Sequence, residues 1–112
     1  MNETNVTLVD TVLSEASVAA AIATRNYVSS HNRFDGCGFA WVTVYKVRSN
    51  SKLGKVLAAV GFRKAYGGGL QLWNPSMNFT QSITALEEGA ECYARILRDK
   101  LGLLAYAGSR LD

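Results

Sequence analysis

Residues 37–47, Cys-Gly-Phe-Ala-Trp-Val-Thr-Val-Tyr-Lys-Val, decide the fold. Aromatic and β-branched residues crowd this stretch, as is typical of a β-strand. Strand side chains alternate between two faces, and one set here is aromatic with one threonine: Phe39, Trp41, Thr43 and Tyr45. The other set is small and aliphatic: Ala40, Val42 and Val44. Because both sets are largely apolar, we expect a strand in the middle of a sheet that helices cover on one face.

A long helix is predicted upstream of this strand, over residues 9–30. Its apolar residues recur at spacings of three and four, which places them on one side of a helix. They are Val9, Val12, Leu13, Ala16, Ala20, Ala23 and Tyr27. A polar turn segment, residues 31–36, joins the helix to the strand.

A short helix and a hairpin are predicted downstream of the strand. Residues 49–51 offer N-cap oxygens to a helix over residues 52–60, which Gly61 closes. Residues 62–66 and 70–74 predict two strands around a triple glycine, and Pro75 ends the second strand.

The last third of the chain predicts a helix followed by a strand. Thr84 and Glu87 have the spacing of a capping box, so the helix is expected to begin at Thr84 and to stop at Gly102. The apolar residues 103–107 predict a final strand that ends at Gly108. The order of elements predicts one α+β domain over residues 1–112, with a mixed or antiparallel sheet of three to five strands packed by two main helices.

Composition excludes several classes of protein. With 112 residues, 48% of them hydrophobic, the chain is long enough for one core and too apolar for intrinsic disorder. The first ten residues carry Glu3 and Asp10 and no basic residue, which does not match a signal peptide. The longest uninterrupted apolar stretches are well below the roughly 20 residues that cross a bilayer, so no membrane span is expected.

The sequence offers little for catalysis or for metal binding. Cys37 and Cys92 have no C-x-x-C spacing and only His31 as an imidazole neighbour, which favours two reduced core thiols over a zinc or redox site. No nucleophile motif accompanies His31. We therefore expect no metal, no cofactor and no enzymatic activity.

Charge is distributed unevenly along the chain. Residues 36–86 contain six basic residues and no acidic residue: Lys46, Arg48, Lys52, Lys55, Arg63 and Lys64. The remainder carries six basic and nine acidic residues. This asymmetry favours an anionic partner, although lysines that merely solvate a loop and a small helix would produce the same pattern.

Three clusters are candidates for ligand binding. Arg63, Lys64 and Tyr66 adjoin the triple glycine, where backbone N–H groups can converge on an anion, unless the glycines only form a hairpin turn. Trp73 and Asn74 combine a stacking surface with an amide edge, or else form a core residue and a tight turn. The C-terminus offers a hydroxyl and a guanidinium if it is docked rather than frayed. The predicted ligand-binding residues are Trp41, Arg63, Lys64, Tyr66, Trp73, Asn74, Gln81, Ser109 and Arg110.

Several of these motifs also carry a resemblance. The segments 38–42 (Gly-Phe-Ala-Trp-Val), 72–76 (Leu-Trp-Asn-Pro-Ser) and 108–112 (Gly-Ser-Arg-Leu-Asp), with 52–55, 61–62 and Gln81, resemble a group of short uncharacterised bacteriophage proteins. The similarity covers about two-thirds of the chain, and it does not extend to the first helix or to residues 65–69. It implies a phage protein in the host cytoplasm, and small phage proteins commonly act by stoichiometric binding.

Three functions are compatible with these observations. The first is capture of a phosphate-bearing small ligand, such as a nucleotide signal of host defence. In this hypothesis arginines and a lysine bind the charged phosphate, a tryptophan stacks on the ligand, and amide side chains bind its polar edges. The second is inhibition of a host protein, or a virion-associated module, through exposed aromatics and the first helix. The third is a nucleic-acid binder that uses residues 46–64 on backbone phosphates. Homodimerisation is left open by the sequence.

Overall fold

The computed structural model describes residues 6–30, 36–80 and 82–111. Three helices and four strands follow one another in the chain: α1 (Val6–Ser30), β1 (Gly38–Tyr45), α2 (Lys52–Ala59), β2 (Arg63–Lys64), β3 (Leu70–Trp73), α3 (Ile83–Leu101) and β4 (Leu104–Leu111). The predicted α+β class is confirmed.

The four strands form one antiparallel sheet in the order β2-β3-β1-β4. The predicted strand within residues 37–47 is β1, an inner strand of this sheet. Trp41 lies opposite Trp73 on β3 and opposite Gly108 on β4. Since residues directly opposite one another share a face, this register determines which distant side chains meet.

All three helices contribute to a single core on one side of the sheet. The strand residues of this core are the small and aliphatic set of β1 with two neighbours: Ala40, Val42, Val44, Leu70 and Ala105. Burial of the core follows the alternation of β1, because the opposite set includes half-exposed Phe39 and Tyr45. The expectation of a central strand covered by helices on one face is confirmed.

Helices α1 and α3 pack closely because small residues lie at their contact. Thr24 of α1 is fully buried and donates a hydrogen bond from Oγ1 to the carbonyl oxygen of Ala85 (2.8 Å). Gly89 of α3 faces this threonine, and a Cβ added there would lie 3.0 Å from the Ala20 carbonyl oxygen. Lys100 and Glu15 join the same two helices by an ion pair of 2.6 Å.

Helix α3 begins earlier than the capping-box spacing predicted. Ser82 is the N-cap, and its Oγ accepts a hydrogen bond from the backbone N–H of Ala85, so the prediction of Thr84 as the start is wrong. The reason is tertiary: Ser82 forms a bridge with Cys37, and the N–H of Ile83 donates to the carbonyl oxygen of Gly36. Pairing with the segment that enters β1 therefore sets the first turn of the helix.

Strand β4 continues through Gly108, where the sequence predicted its end. The indole of Trp41 lies across this glycine, and a Cβ added to Gly108 would lie 2.5 Å from Trp41 Nε1. A glycine inside a strand often marks such a close approach. The three residues that follow are thus part of the sheet rather than a frayed end.

Helix α1 deserves comparison with a membrane span. Among the described residues, it is the one helix that is long and apolar enough to cross a bilayer. Its alanines and valines alternate with serines and threonines, so a search for uninterrupted apolar runs does not register it. Six of its residues are buried in the structure, and the helix packs against α3. The absence of a membrane span stays a prediction.

The buried phenol of Tyr93 makes the stability of the domain sensitive to alkaline pH. Burial raises the pKa of Tyr93 above its usual value of 10.0, so the folded state keeps a proton that the unfolded state releases near pH 10. The resulting stabilisation is fully present below about pH 10 and is lost progressively as pH rises from there toward the higher pKa of the folded state. Denaturant unfolding should therefore show that, between about pH 8 and pH 11, the free energy of unfolding falls by about 1.4 kcal/mol more in the wild type than in Tyr93→Phe.

The exposed Tyr66 supplies the control for this measurement. Tyr66→Phe should follow the wild type at both pH values, because Tyr66 lies in solvent. Equal losses in Tyr93→Phe and in the wild type would contradict the assignment.

Candidate functional site: an uncovered aromatic sheet face

The side of the sheet opposite the helices is here called the outer face. Its members follow from the strand register: Phe39, Trp41, Thr43, Tyr45, Arg63, Gln71, Trp73, Leu104, Tyr106, Gly108 and Arg110. None of the described helices packs on it. Trp73 lies on the inner strand β3 and is 49% exposed, and Tyr106 lies on the edge strand β4 and is 48% exposed. An uncovered aromatic surface of this kind commonly marks a binding site.

Two aromatic clusters occupy the outer face. Trp73 contacts both Trp41 (ring centroids 4.9 Å apart) and Phe39 (5.9 Å, edge to face), and the Trp73 Nε1–H donates to Gln71 Oε1 (2.8 Å). Tyr45 and Tyr106 form the second cluster, with ring centroids 6.3 Å apart. The four-residue separation of Trp41 and Tyr45 along β1 sets the two clusters about 13 Å apart. The hydrogen bond and ring contacts hold the Trp73 indole in place, so a flat ligand meets a preformed surface.

Arginines lie at the margins of this face. The guanidinium of Arg110 is 5.8 Å from the centre of the Phe39 ring, at one end of β4. Arg63 lies at the β2 edge, where its Nη1 donates to the carbonyl oxygens of Ala58 and Phe62 (3.1 and 2.8 Å). Arg98 of α3 reaches the β4 edge, 5.4 Å from the Tyr106 ring. Among the described residues of the outer face, none is acidic.

Arg98 is the most constrained of the three arginines. Its Nη1 donates to the carbonyl oxygen of Ala105 and its Nη2 pairs with Glu91, both at 2.8 Å. This hydrogen bond occupies a backbone acceptor of the edge strand β4. Covering the backbone groups of an edge strand in this way commonly protects a sheet against the addition of another strand. Arg63 also makes two hydrogen bonds, but neither Arg63 nor Arg110 forms an ion pair among the described residues, so their charge is available to an anion.

The structure brings together four of the predicted ligand-binding residues. Trp41, Arg63, Trp73 and Arg110 share the outer face, although they come from four different strands. Asn74 adjoins it at the end of β3, with a left-handed φ of 50°. They lie on an open surface and do not enclose a concave site of the kind that usually binds a small ligand.

The remaining predicted residues lie elsewhere. Lys64 alternates to the helix side of β2, and Tyr66 is fully exposed at the hairpin turn, beyond the opposite end of the sheet from Trp73. Ser109 points to the helices, where its hydroxyl donates to the Glu87 carboxylate. These three positions are separated from the outer face by strand alternation or by distance. Gln81 and His31 fall outside the described residues.

Sequence reasoning missed Phe39, Tyr45, Gln71 and Tyr106 as members of the site. For Phe39 and Tyr45 a signal was present, since they alternate with Trp41 in the same aromatic set. For Tyr106 and Gln71 no local signal exists, because only the register of β4 and β3 places them beside Thr43.

Trp73 lines two cavities among the described residues. A groove of about 600 Å³ runs between α1 and β3, and apolar residues form most of its walls: Leu13, Val18, Val60, Leu72, Pro75 and Met77. None of the described residues that line this groove is charged, so it offers no charged group to a phosphate. A second cavity of about 380 Å³, here called the end pocket, lies where the outer face meets the loop 74–80.

The thiols and the acidic residues form no metal site in the part of the chain that is described. Cys37 and Cys92 are not joined by a disulfide, and both are half-buried rather than core residues. Comparison with models of protein families, with curated proteins and with solved structures finds no match for this chain.

Proposed function

We propose that the protein binds single-stranded nucleic acid on its outer face. The observation that carries this proposal is an uncovered antiparallel sheet face with five aromatic side chains, arginines at its margins and, among the described residues, no acidic group. Unstacked bases bind to aromatic rings, while arginines meet the phosphates that flank them.

The shape of the face favours an extended strand over the other anionic ligands. Small ligands are usually bound in concave sites that bury most of their surface, whereas the outer face is open. Duplex nucleic acid keeps its bases stacked on one another and so cannot use the rings. A single strand gains from both clusters at once, because the two clusters lie about 13 Å apart along the sheet.

The basic segment that suggested a nucleic-acid binder contributes less than its charge implied. Lys52 and Lys55 lie on α2, on the helix side of the sheet. Of the two basic residues of that segment that lie in a strand, Arg63 is on the outer face and Lys64 is on the helix side. With Arg63 and Arg110 as the phosphate contacts, we expect a shallow salt dependence, with a slope of about −1.4 in log K against log salt concentration.

Fluorescence anisotropy with labelled single strands tests the proposal. An oligo-dT and an oligo-U of about 12 nucleotides should both bind, with quenching of tryptophan emission, and the matching duplex should bind at least about tenfold more weakly. Titrations between about 50 and 200 mM salt give the slope. Absence of binding to either strand at the lowest salt would contradict the proposal.

Light scattering on the free protein separates this function from an interface between copies. A monomer with exposed tryptophans supports strand binding. A stable dimer with protected tryptophans and no affinity for oligonucleotides would assign the outer face to an interface between two copies of the chain and would contradict the proposal. The relation to bacteriophage proteins and a place in the host cytoplasm stay predictions.

A further inference from the structure

The end pocket opens directly onto the outer face. Phe39 and Trp73 belong to both, so one ring surface continues from the face into the pocket. Phe79 lines the pocket and is 96% exposed, which leaves its ring available as a further wall. A volume of about 380 Å³ is within the range of pockets that hold small planar ligands.

Polar groups line the pocket beside the rings, and the loop that carries them is ordered by its own hydrogen bonds. Asn74 Oδ1 accepts a hydrogen bond from Ser76 Oγ (3.3 Å), and Asn74 Nδ2 donates one to the carbonyl oxygen of Asn78 (3.0 Å). Asn78 Oδ1 accepts from the N–H of Thr80 (2.8 Å). These bonds use one hydrogen of Asn74 Nδ2 and one lone pair of Asn78 Oδ1, and each group has a second to offer.

We infer that the end pocket takes one unstacked nucleobase of the bound strand and reads its polar edge, an inference that rests on the proposed function. An amide beside a ring matches a base, because the ring covers its face while donor and acceptor meet its edge. Arg110, over the Phe39 ring at the mouth, lies where the adjoining phosphate would pass. An asparagine amide matches the N6 and N7 atoms of adenine, so adenine is the expected base.

Base substitution within an otherwise uniform strand tests this inference. An oligo-dT with adenines at central positions should bind about 5-fold or more tightly than oligo-dT itself. Phe79→Ala should abolish this ratio, because it removes one wall of the pocket that holds the base. Asn78→Asp should also abolish it: the carboxylate still accepts from Thr80 but donates no hydrogen bond.

Tyr66→Ala is the matched control, because Tyr66 is an equally exposed aromatic residue at the other end of the sheet. It should keep the preference for adenine. Binding of all strands with equal affinity would overturn the end-pocket inference and leave the proposed function intact. Failure of every strand to bind would contradict the proposed function itself. A preference that survives Phe79→Ala would assign base reading to another surface and overturn the inference.

Discussion

Replacing Gly89 by alanine is expected to destabilise the domain by about 2 kcal/mol, although alanine is the better helix former by about 1 kcal/mol. The new Cβ would meet Thr24 Oγ1 and would lie 2.8 Å from Ser76 Cβ and 3.0 Å from the Ala20 carbonyl oxygen. Two of these three neighbours belong to α1, so the helices must separate or Thr24 must lose its hydrogen bond. Thermal unfolding should show a Tm lowered by roughly 8 °C or more.

Gly67→Ala is the control for this substitution. Gly67 lies in the hairpin turn with open space around the added Cβ. The free energy of unfolding should therefore change by no more than about 0.5 kcal/mol, and the Tm should stay correspondingly close to that of the wild type. A higher Tm for Gly89→Ala, as helix propensity alone predicts, would contradict the close contact of α1 and α3.

The second large effect is expected on strand binding. Trp73 and Tyr106 belong to different aromatic clusters of the outer face, and each is half exposed. A stacked base contributes about 1–3 kcal/mol, so each alanine substitution should weaken binding about 5- to 140-fold. The double variant Trp73→Ala/Tyr106→Ala should lose at least about 30-fold. Anisotropy titrations with oligo-dT measure both values.

Charge and ring contributions separate in the same titrations. Arg63→Gln and Arg110→Gln should each reduce the salt slope by about 0.7, whereas the aromatic variants should leave it unchanged. Tyr66→Ala and Lys52→Gln are controls, since both residues are exposed and lie off the outer face. Full affinity in the double aromatic variant, with its Tm retained, would show that the rings do not hold bases.

Local sequence patterns gave correct predictions where the structure of an element depends on the residues of that element alone. The alternation in 37–47 predicted a central strand with one helix-covered face. Gly102 predicted the end of α3, and the structure shows it as a left-handed C-cap. They were wrong where a partner element decides the outcome. Ser82 is the N-cap in place of Thr84 because it pairs with Cys37. Strand β4 continues through Gly108, where the lack of a Cβ leaves room for the Trp41 indole.

The candidate site shows the same division. Residue type alone suggested Trp41, Arg63, Trp73 and Arg110, since arginines and tryptophans suit an anionic planar ligand. Lys64 and Ser109 were suggested on the same grounds, yet strand alternation turns both to the helix side of the sheet. The sign of the basic segment did not reveal the position of its charges, because α2 carries two lysines away from the outer face.

By itself, the sequence determined the α+β class, the central strand and the two sets of side chains on it, because periodicity and local propensity act over a few residues. Only the tertiary structure decided that none of the described helices covers the aromatic set and that arginines from distant strands border it. Register between strands is a long-range property, and it places Trp73, Gly108 and Tyr106 around β1 without any signal in their own neighbourhoods.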